Sequence, residues 1–263
     1  MRFETIRLVY FSPTHTTRKT LEAIAEGIGG EIGLTLALTT GAPKNRPTFS
    51  THDLVLVGMP VYSGRLPQLA VERFASTAGN GAAVVPVVVY GNRHYDDALK
   101  ELFDCCRKQG FTPVAAGAFL GEHSFSTPGR PLSKGRPDGA DLEKARVFGD
   151  RIASIDTELN DVPGNRPYKP KTTYSGSTTS VDPETCTRCG QCVDLCPTQG
   201  MFLTASAAEA DPENCNWCLA CLRYCPAGAR SLTHEKVKGY AQKLNDLFSE
   251  RREPETFFPA TVE

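Results

Sequence analysis

Eight of the chain's ten cysteines stand between Cys186 and Cys225, in two runs of one form, C-x2-C-x2-C-x3-C-P. The first is Cys186, Cys189, Cys192 and Cys196, followed by Pro197; the second is Cys215, Cys218, Cys221 and Cys225, followed by Pro226. Three thiolates at intervals of three can wrap one face of a compact metal centre. The fourth, set further off, points away from that face. Structural zinc usually pairs two C-x2-C knuckles across a longer loop, so a third cysteine at the same short interval fits zinc poorly. Each proline lacks an amide hydrogen and fixes the chain direction after the fourth thiol. Gly190 and Ala220 fall between ligands, where large side chains would crowd a centre. The two runs belong to a duplication: VDPETCTRCGQCVDLCPTQGMFLT aligns without gaps on ADPENCNWCLACLRYCPAGARSLT at an offset of 29 residues. A unit this short cannot bury its own core, so the halves must close on something shared.

A second constellation lies near the start. FSPTHTT, residues 11–17, follows the apolar run IRLVYF and precedes the amphipathic stretch RKTLEAIAEGI. It lacks the Gly-Lys-Ser/Thr of a nucleoside-triphosphate loop. Its backbone amides at a helix start and its hydroxyls could instead cradle one phosphate group without a lysine. Two further loops, Gly58 to Arg65 and Gly91 to Tyr95, each present a tyrosine among glycines or small polar residues. An aromatic side chain beside exposed backbone suits a flat ring that is stacked and hydrogen-bonded along its edge.

These loops need a scaffold. Thr5–Phe11, Ile32–Leu38, Leu54–Gly58, Ala83–Tyr90 and Val114–Phe119 read as strands, short and rich in Val, Ile and Leu as strands covered on both faces should be. Helical stripes lie between and after them. They are Leu21, Ile24, Ala25 and Ile28; Leu99, Leu102, Phe103 and Cys106; and Ala145, Phe148, Ile152, Ile155 and Leu159. The alternation predicts an α/β fold with a doubly wound parallel sheet of five strands over residues 1–158. Ligands of such sheets bind outside the carboxyl ends of the strands, and all three loops fall on that edge. One phosphate and one flat heteroaromatic ring together describe FMN. The long loop GEHSFSTPGRPLSKGRPDG after the fifth strand is on the same edge, and is expected to cover the flavin or a docking face; His123 within it reads as an ordinary loop histidine. Residues 159–180, rich in Pro, Gly, Ser and Thr, read as an extended linker. Residues 181–235 form the cysteine-rich unit, and residues 236–263 a helix and tail. Cys105 and Cys106 lie on a helical stripe and read as buried, inert thiols.

The cysteine runs closely resemble those of bacterial two-cluster ferredoxins, in which the fourth cysteine of each run ligates the other cluster. The resemblance implies a small α+β unit. It implies one 4Fe–4S cluster on Cys186, Cys189, Cys192 and Cys225 and a second on Cys215, Cys218, Cys221 and Cys196. Residues 1–158 resemble flavodoxins, whose phosphate loop Ser/Thr-x-Thr-Gly-x-Thr is matched by SPTHTT with His15 in place of the glycine. GMPVYSGRLP is similar to the Gly-x-Pro-Val-Tyr flavin loop of flavodoxin-like oxidoreductases. The implied FMN contacts are Ser12, Thr14, His15, Thr16 and Thr17 for the phosphate, Pro60, Val61, Tyr62, Ser63 and Gly64 along the ring, and Gly91, Asn92, Arg93 and Tyr95 from the other side. The whole chain resembles flavodoxin–ferredoxin fusions, iron–sulfur flavoproteins found mostly in anaerobes.

That resemblance implies an electron carrier between FMN and two 4Fe–4S clusters, serving a partner redox protein. A flavin-dependent reductase of quinones, nicotinamides or small organic molecules is a second reading, and a redox sensor a third. The formal net charge of -1 offers no general basic character for nucleic acid. The longest apolar run, Ala82 to Tyr90, is too short to span a membrane. The start, MRFETIRLVYF, is interrupted by acid and does not read as a signal peptide, so the expected location is the cytoplasm, where clustered cysteines point to metal rather than disulfides. Between Asp182 and Glu235 seven carboxylates stand against three arginines. This acidic unit is expected to pack on the basic loop of Arg130, Lys134 and Arg136, and to face a basic partner with its remaining acidic surface.

Overall fold

The computed structural model describes residue 3, residues 5–174, residue 176 and residues 178–260. Met1, Arg2 and Glu4 of the expected first domain, Ser175 and Ser177 of the linker, and Thr261 to Glu263 of the tail lie outside the described residues.

The first part of the chain runs β1 (Thr5–Tyr10), α1 (Thr16–Ile28), β2 (Ile32–Ala37), β3 (Asp53–Pro60), α2 (Gln68–Phe74), β4 (Ala83–Tyr90), α3 (Ala98–Lys108), β5 (Thr112–Pro113), β6 (Ala116–Leu120) and α4 (Gly139–Ile152). The cysteine-rich part follows as β7 (Thr179–Val181), α5 (Gln191–Asp194), β8 (Met201–Leu203), β9 (Ala208–Ala210), α6 (Ala220–Arg223) and β10 (Arg230–Leu232). The chain closes with α7 (Glu235–Leu247) and β11 (Glu255–Phe257).

The large sheet has the order β11-β6-β4-β3-β1-β2, with β5 beside β4. Without the edge strand β11 and the short β5, it is the parallel doubly wound order of flavodoxin-like folds. β3 and β4 are the central strands, and nearly every residue in them is buried. One core, with Val57, Phe74, Leu99, Leu102 and Phe103, covers one face. The other, with Leu21, Ile24, Phe119, Phe148 and Ile152, covers the opposite face. α1 and α4 meet there almost backbone to backbone. A Cβ on Gly27 would stand 2.0 Å from the Arg146 carbonyl oxygen, and one on Gly149 would stand 2.1 Å from that of Ile24. Glycine is required at both positions because any side chain would push the helices apart.

Four sequence expectations shift. Among the described residues the sheet has seven strands, because the tail adds β11 antiparallel to β6 and the short β5 precedes the expected Val114–Phe119, of which β6 keeps only Ala116 onward. The tail segment is three residues long and flanked by prolines, too short to show a period. β2 is an edge strand rather than a covered one; Ile32 is 41% exposed and Leu34 38%. α4 stops at Ile152, and Leu159 reaches the core on the opposite face from Ala145 and Phe148.

The linker lies along α3. The Asn165 and Lys169 amides donate to Asp97, Tyr168 donates to Asp104, and Lys171 pairs with buried Glu101. The tail also straps back, with Tyr95 Oη donating to Glu255 at 2.8 Å and Arg251 pairing with Asp138 at 2.7 Å. The cysteine-rich unit is therefore tethered to the α/β unit on both sides.

Candidate functional site

The carboxyl edge of the sheet opens into a cavity of about 370 Å³. The 11–17 turn forms its floor. His15 takes a left-handed conformation, φ 59°, at the cap of α1, so the histidine adopts the backbone that glycine adopts easily. Its ring turns outward onto Tyr224, 4.9 Å between centroids. Ser12 Oγ accepts the Arg18 amide at 3.1 Å and closes the first turn of the helix from outside. Ser12, Thr14, Thr16 and Thr17 line the cavity. Thr17 Oγ1 is buried with no partner among the described residues, and α1 has no acidic residue in its first turn. A spare buried hydroxyl at a positive helix end, with no carboxylate in the helix's own first turn, fits a phosphate group.

The second loop is a tight turn. Tyr62 and Arg65 exchange both backbone hydrogen bonds, at 2.8 and 3.1 Å, around Ser63 and Gly64, both at positive φ. A Cβ on Gly64 would meet Asp96 Oδ2 at 2.0 Å. Pro60, Val61, Tyr62, Ser63 and Gly64 all line the cavity. Buried Arg65 holds the turn from behind through a forked pair with Glu101, 2.8 and 2.9 Å.

The third loop divides. Gly91 and Arg93 line the cavity, as does His94. The side chains of Asn92 and Tyr95 are spent elsewhere. Asn92 donates to the Phe248 and Glu250 carbonyls at 2.7 Å each and accepts the Arg252 amide; Tyr95 bonds Glu255. These two residues, expected to close the pocket, anchor the C-terminal tail. Partners 150 residues away in sequence leave no local signal.

The long loop covers the cavity, contributing Glu122, His123, Ser124 and Phe125. His123 is more than an ordinary loop histidine. Its Nδ1 accepts the Phe125 amide at 3.1 Å, which leaves the proton on Nε2. Burial, then nearby Arg93, pull its pKa down to about 4. The unfolded ring takes a proton near pH 6.5, so this group's stabilisation is complete above about 6.5 and is lost as pH falls toward 4. Thermal unfolding of the wild type is expected to show that acid loss, and His123→Gln to flatten it.

The remaining walls come from parts of the chain that sequence reading assigned no flavin role. The linker supplies Lys169, Thr172 and Tyr174, the second cysteine run Asn216, Trp217 and Cys218, and α7 Tyr240 and Leu244. Tyr174 stands edge-on to Tyr62, 6.2 Å between centroids, and bonds Ser63 at 3.1 Å. Its other side meets Trp217 at 5.2 Å. Aromatic residues in the linker and between the cysteines were the available signal.

Beyond this wall, Cys196, Cys215, Cys218 and Cys221 line one small cavity. The chain therefore brings the fourth cysteine of the first run to three of the second. In the first run, Cys192 lies beside Cys189, and Cys189 is exposed. Buried Arg230 lies close to both Cys192 and Cys221 and donates to Thr179 at 2.7 Å. Among the described residues, no three His, Cys, Asp or Glu side chains form a site for a single metal ion. Gly190 is needed for conformation rather than room, since its φ is 78° and a Cβ would meet nothing within 4 Å. Its counterpart at the 29-residue offset is Leu219, also left-handed at φ 57°, rather than Ala220. Cys105 and Cys106 lie on α3; burial pushes both thiols up, Cys105 to about 11, which keeps them unreactive.

The cysteine-rich unit meets the α/β unit through specific bonds. Tyr224 Oη donates to the Thr14 carbonyl at 2.9 Å, and Arg73 to that of Pro197 at 2.7 Å. The ion pair across this contact is Arg223 with Glu122, 2.9 Å. Its polarity is the reverse of the expected packing on a basic loop. Arg136 is buried against Asp141 and the Arg252 carbonyl, and Arg130 bonds Gln242 of α7. Counting charges along the sequence did not reveal these local partners.

Among the described residues, no helix is long and apolar enough to cross a membrane. Residues 178–226 match the family model described as a 4Fe-4S dicluster domain. No curated protein sequence matches the chain. Solved structures similar to it include a flavodoxin from the domain Archaea, 16% identical over 57% of this chain and 96% of that one, TM-score 0.36. The oxidised flavodoxin 1 of Bacillus cereus is 16% identical over 56% and 96%, TM-score 0.41. A WrbA-like flavodoxin protein of Agrobacterium tumefaciens is 18% identical over 57% and 95%, TM-score 0.38. By its strand order and by the family-model match over residues 178–226, the chain joins a flavodoxin-like α/β unit to a segment similar to 4Fe–4S dicluster domains.

Proposed function

We propose that the protein is an iron–sulfur flavoprotein that carries electrons between FMN and two 4Fe–4S clusters for a partner oxidoreductase. The observation that carries this reading is Cys218, which lines both the large cavity and the cysteine-lined one. FMN exchanges one or two electrons and each cluster one, and the polypeptide orients and tunes them. Ser12, Thr14, Thr16 and Thr17 would hold the phosphate, and Pro60 to Gly64, with Gly91 and Arg93, would flank the ring. Cys215, Cys218, Cys221 and Cys196 would hold one cluster, and Cys186, Cys189, Cys192 and Cys225 the other.

A carrier is favoured over a reductase of small molecules by the cover over the cavity. The linker, the long loop, the second cysteine run and α7 all contribute walls, which keep water and diffusing acceptors from the ring. Exposed Cys189 puts the first run toward solvent, where a partner protein can approach it.

Protein prepared without oxygen is expected to release a yellow cofactor with the mass of FMN and to contain about eight iron and eight sulfide, two cubanes' worth. Mass determination of the extract, with iron, sulfide and zinc analysis, makes the test. FAD in the extract, or zinc without sulfide, would refute the reading.

A further inference from the structure

Asn216 and Trp217 stand between the ligands Cys215 and Cys218 in the second cysteine run, yet both line the large cavity at the edge of the α/β unit. Asn216 also lines the small cysteine cavity. Its Nδ2 is buried and has no hydrogen-bond partner among the described residues. Trp217 is locked in place: its Nε1 donates to the Gly176 carbonyl at 2.9 Å, its ring packs on Tyr174, and its other side meets His234 at 4.7 Å. Tyr62, in the ring loop, lies close to Cys218 and Cys215. A buried amide donor without an acceptor is costly, and the residue that carries it lines the cavity bordered by the phosphate turn and the ring loop, where a flavin ring would bring an edge of carbonyl oxygens and ring nitrogens.

We propose that the flavin site is composite and that the cysteine-rich unit completes it, Asn216 Nδ2 donating to an acceptor on the edge of the flavin ring and Trp217 walling the ring. This rests on the flavoprotein reading above. It makes the cluster of Cys215, Cys218, Cys221 and Cys196 the one adjacent to the flavin, and that of the first run the outer one. Flavin binding and the docking of the two units then reinforce each other, because one residue between two cluster ligands also touches the ring. The chain thereby fixes the gap between the two redox groups through residues next to each other in sequence.

The test is FMN titration of the full chain, clusters intact and flavin removed, in wild type, Asn216→Ala and Asn216→Asp. Asn216→Ala is expected to weaken FMN binding roughly tenfold, the size of one buried hydrogen bond. Asn216→Asp should weaken it further, because a carboxylate would face the ring's acceptors. Trp217 is the only tryptophan of the chain, so its emission in the wild type should fall as FMN is added. Iron and sulfide content shows whether a variant keeps its clusters. If a variant loses them, the emission titration of the wild type decides. Wild-type FMN affinity in both variants, or tryptophan emission indifferent to FMN, overturns the composite site while leaving the flavoprotein intact. Failure of the wild type to bind FMN at all sinks the flavoprotein reading itself.

Discussion

If the protein holds the two proposed clusters, Cys196→Ser is expected to cost about four of roughly eight irons, all from the cluster of the second repeat. Cys196 belongs to the first run in sequence, so a ligand set drawn from neighbours alone would place the damage in the first cluster. The geometry points the other way, because Cys196 shares its cavity with Cys215, Cys218 and Cys221. Burial pushes the Cys218 thiol up, and the thiols of Cys221, Cys196 and Cys215 add to the effect. Burial also pushes the Cys221 thiol up, so the buried thiolates need a cation beside them, and removing one ligand should release the whole centre rather than loosen it. Electron paramagnetic resonance of the reduced variant, with iron and sulfide analysis, provides the reading. A surviving second-repeat signal and a missing first-repeat signal would reject the crossed arrangement. Flavin affinity should fall in the same variant if Asn216, one residue from Cys215, helps hold the ring.

Thr17→Val is expected to have opposite effects on the two states of the protein. Thr17 is 1% exposed, and its hydroxyl has no partner among the described residues. Valine keeps the shape and removes the unmet polar group, so the flavin-free chain should unfold at the same temperature or higher. FMN affinity should fall instead. A hydrogen bond to a charged group contributes about 1.5–3 kcal/mol, roughly tenfold to hundredfold in dissociation constant. Combining it with Thr14→Val should deepen the loss, since both side chains line the cavity beside the end of α1. Flavin fluorescence titration and thermal unfolding of the apoprotein give the two numbers. Unchanged affinity would reduce the turn to a helix start with a spare hydroxyl.

The two chemistries were legible at very different depths. The cysteine runs carry their own geometry, since three ligands within seven residues can reach one centre whatever the rest of the chain does. The 29-residue offset recurs in the backbone, where Arg188 and Trp217, and Gly190 and Leu219, are left-handed pairs that the sequence reading, which set Gly190 beside Ala220, did not make. Ser12, Thr14, Thr16, Thr17 and the 60–64 turn were readable because each sits at a strand's carboxyl end, where the α/β pattern alone aims a loop. Asn92 and Tyr95 looked equivalent to them but were not: their partners, Phe248, Glu250 and Glu255, lie beyond the entire cysteine-rich unit.

What the sequence by itself determined was therefore whatever depends on short spacing: the cysteine runs, the hydroxyl-rich turn, the strand–helix alternation and the duplication. Tertiary structure alone decided which residues close the cavity. Trp217 and Tyr174 belong to segments with no apolar period, and Trp217 reaches the cavity beside Tyr174 because Tyr224, Arg73 and Arg223 dock the cysteine-rich unit on the sheet edge. Charge totals could not foresee that docking. It is held by single bonds to the Thr14 carbonyl, the Pro197 carbonyl and Glu122, and a directional bond at 2.7 to 2.9 Å depends on where atoms stand rather than on how many charges a segment carries.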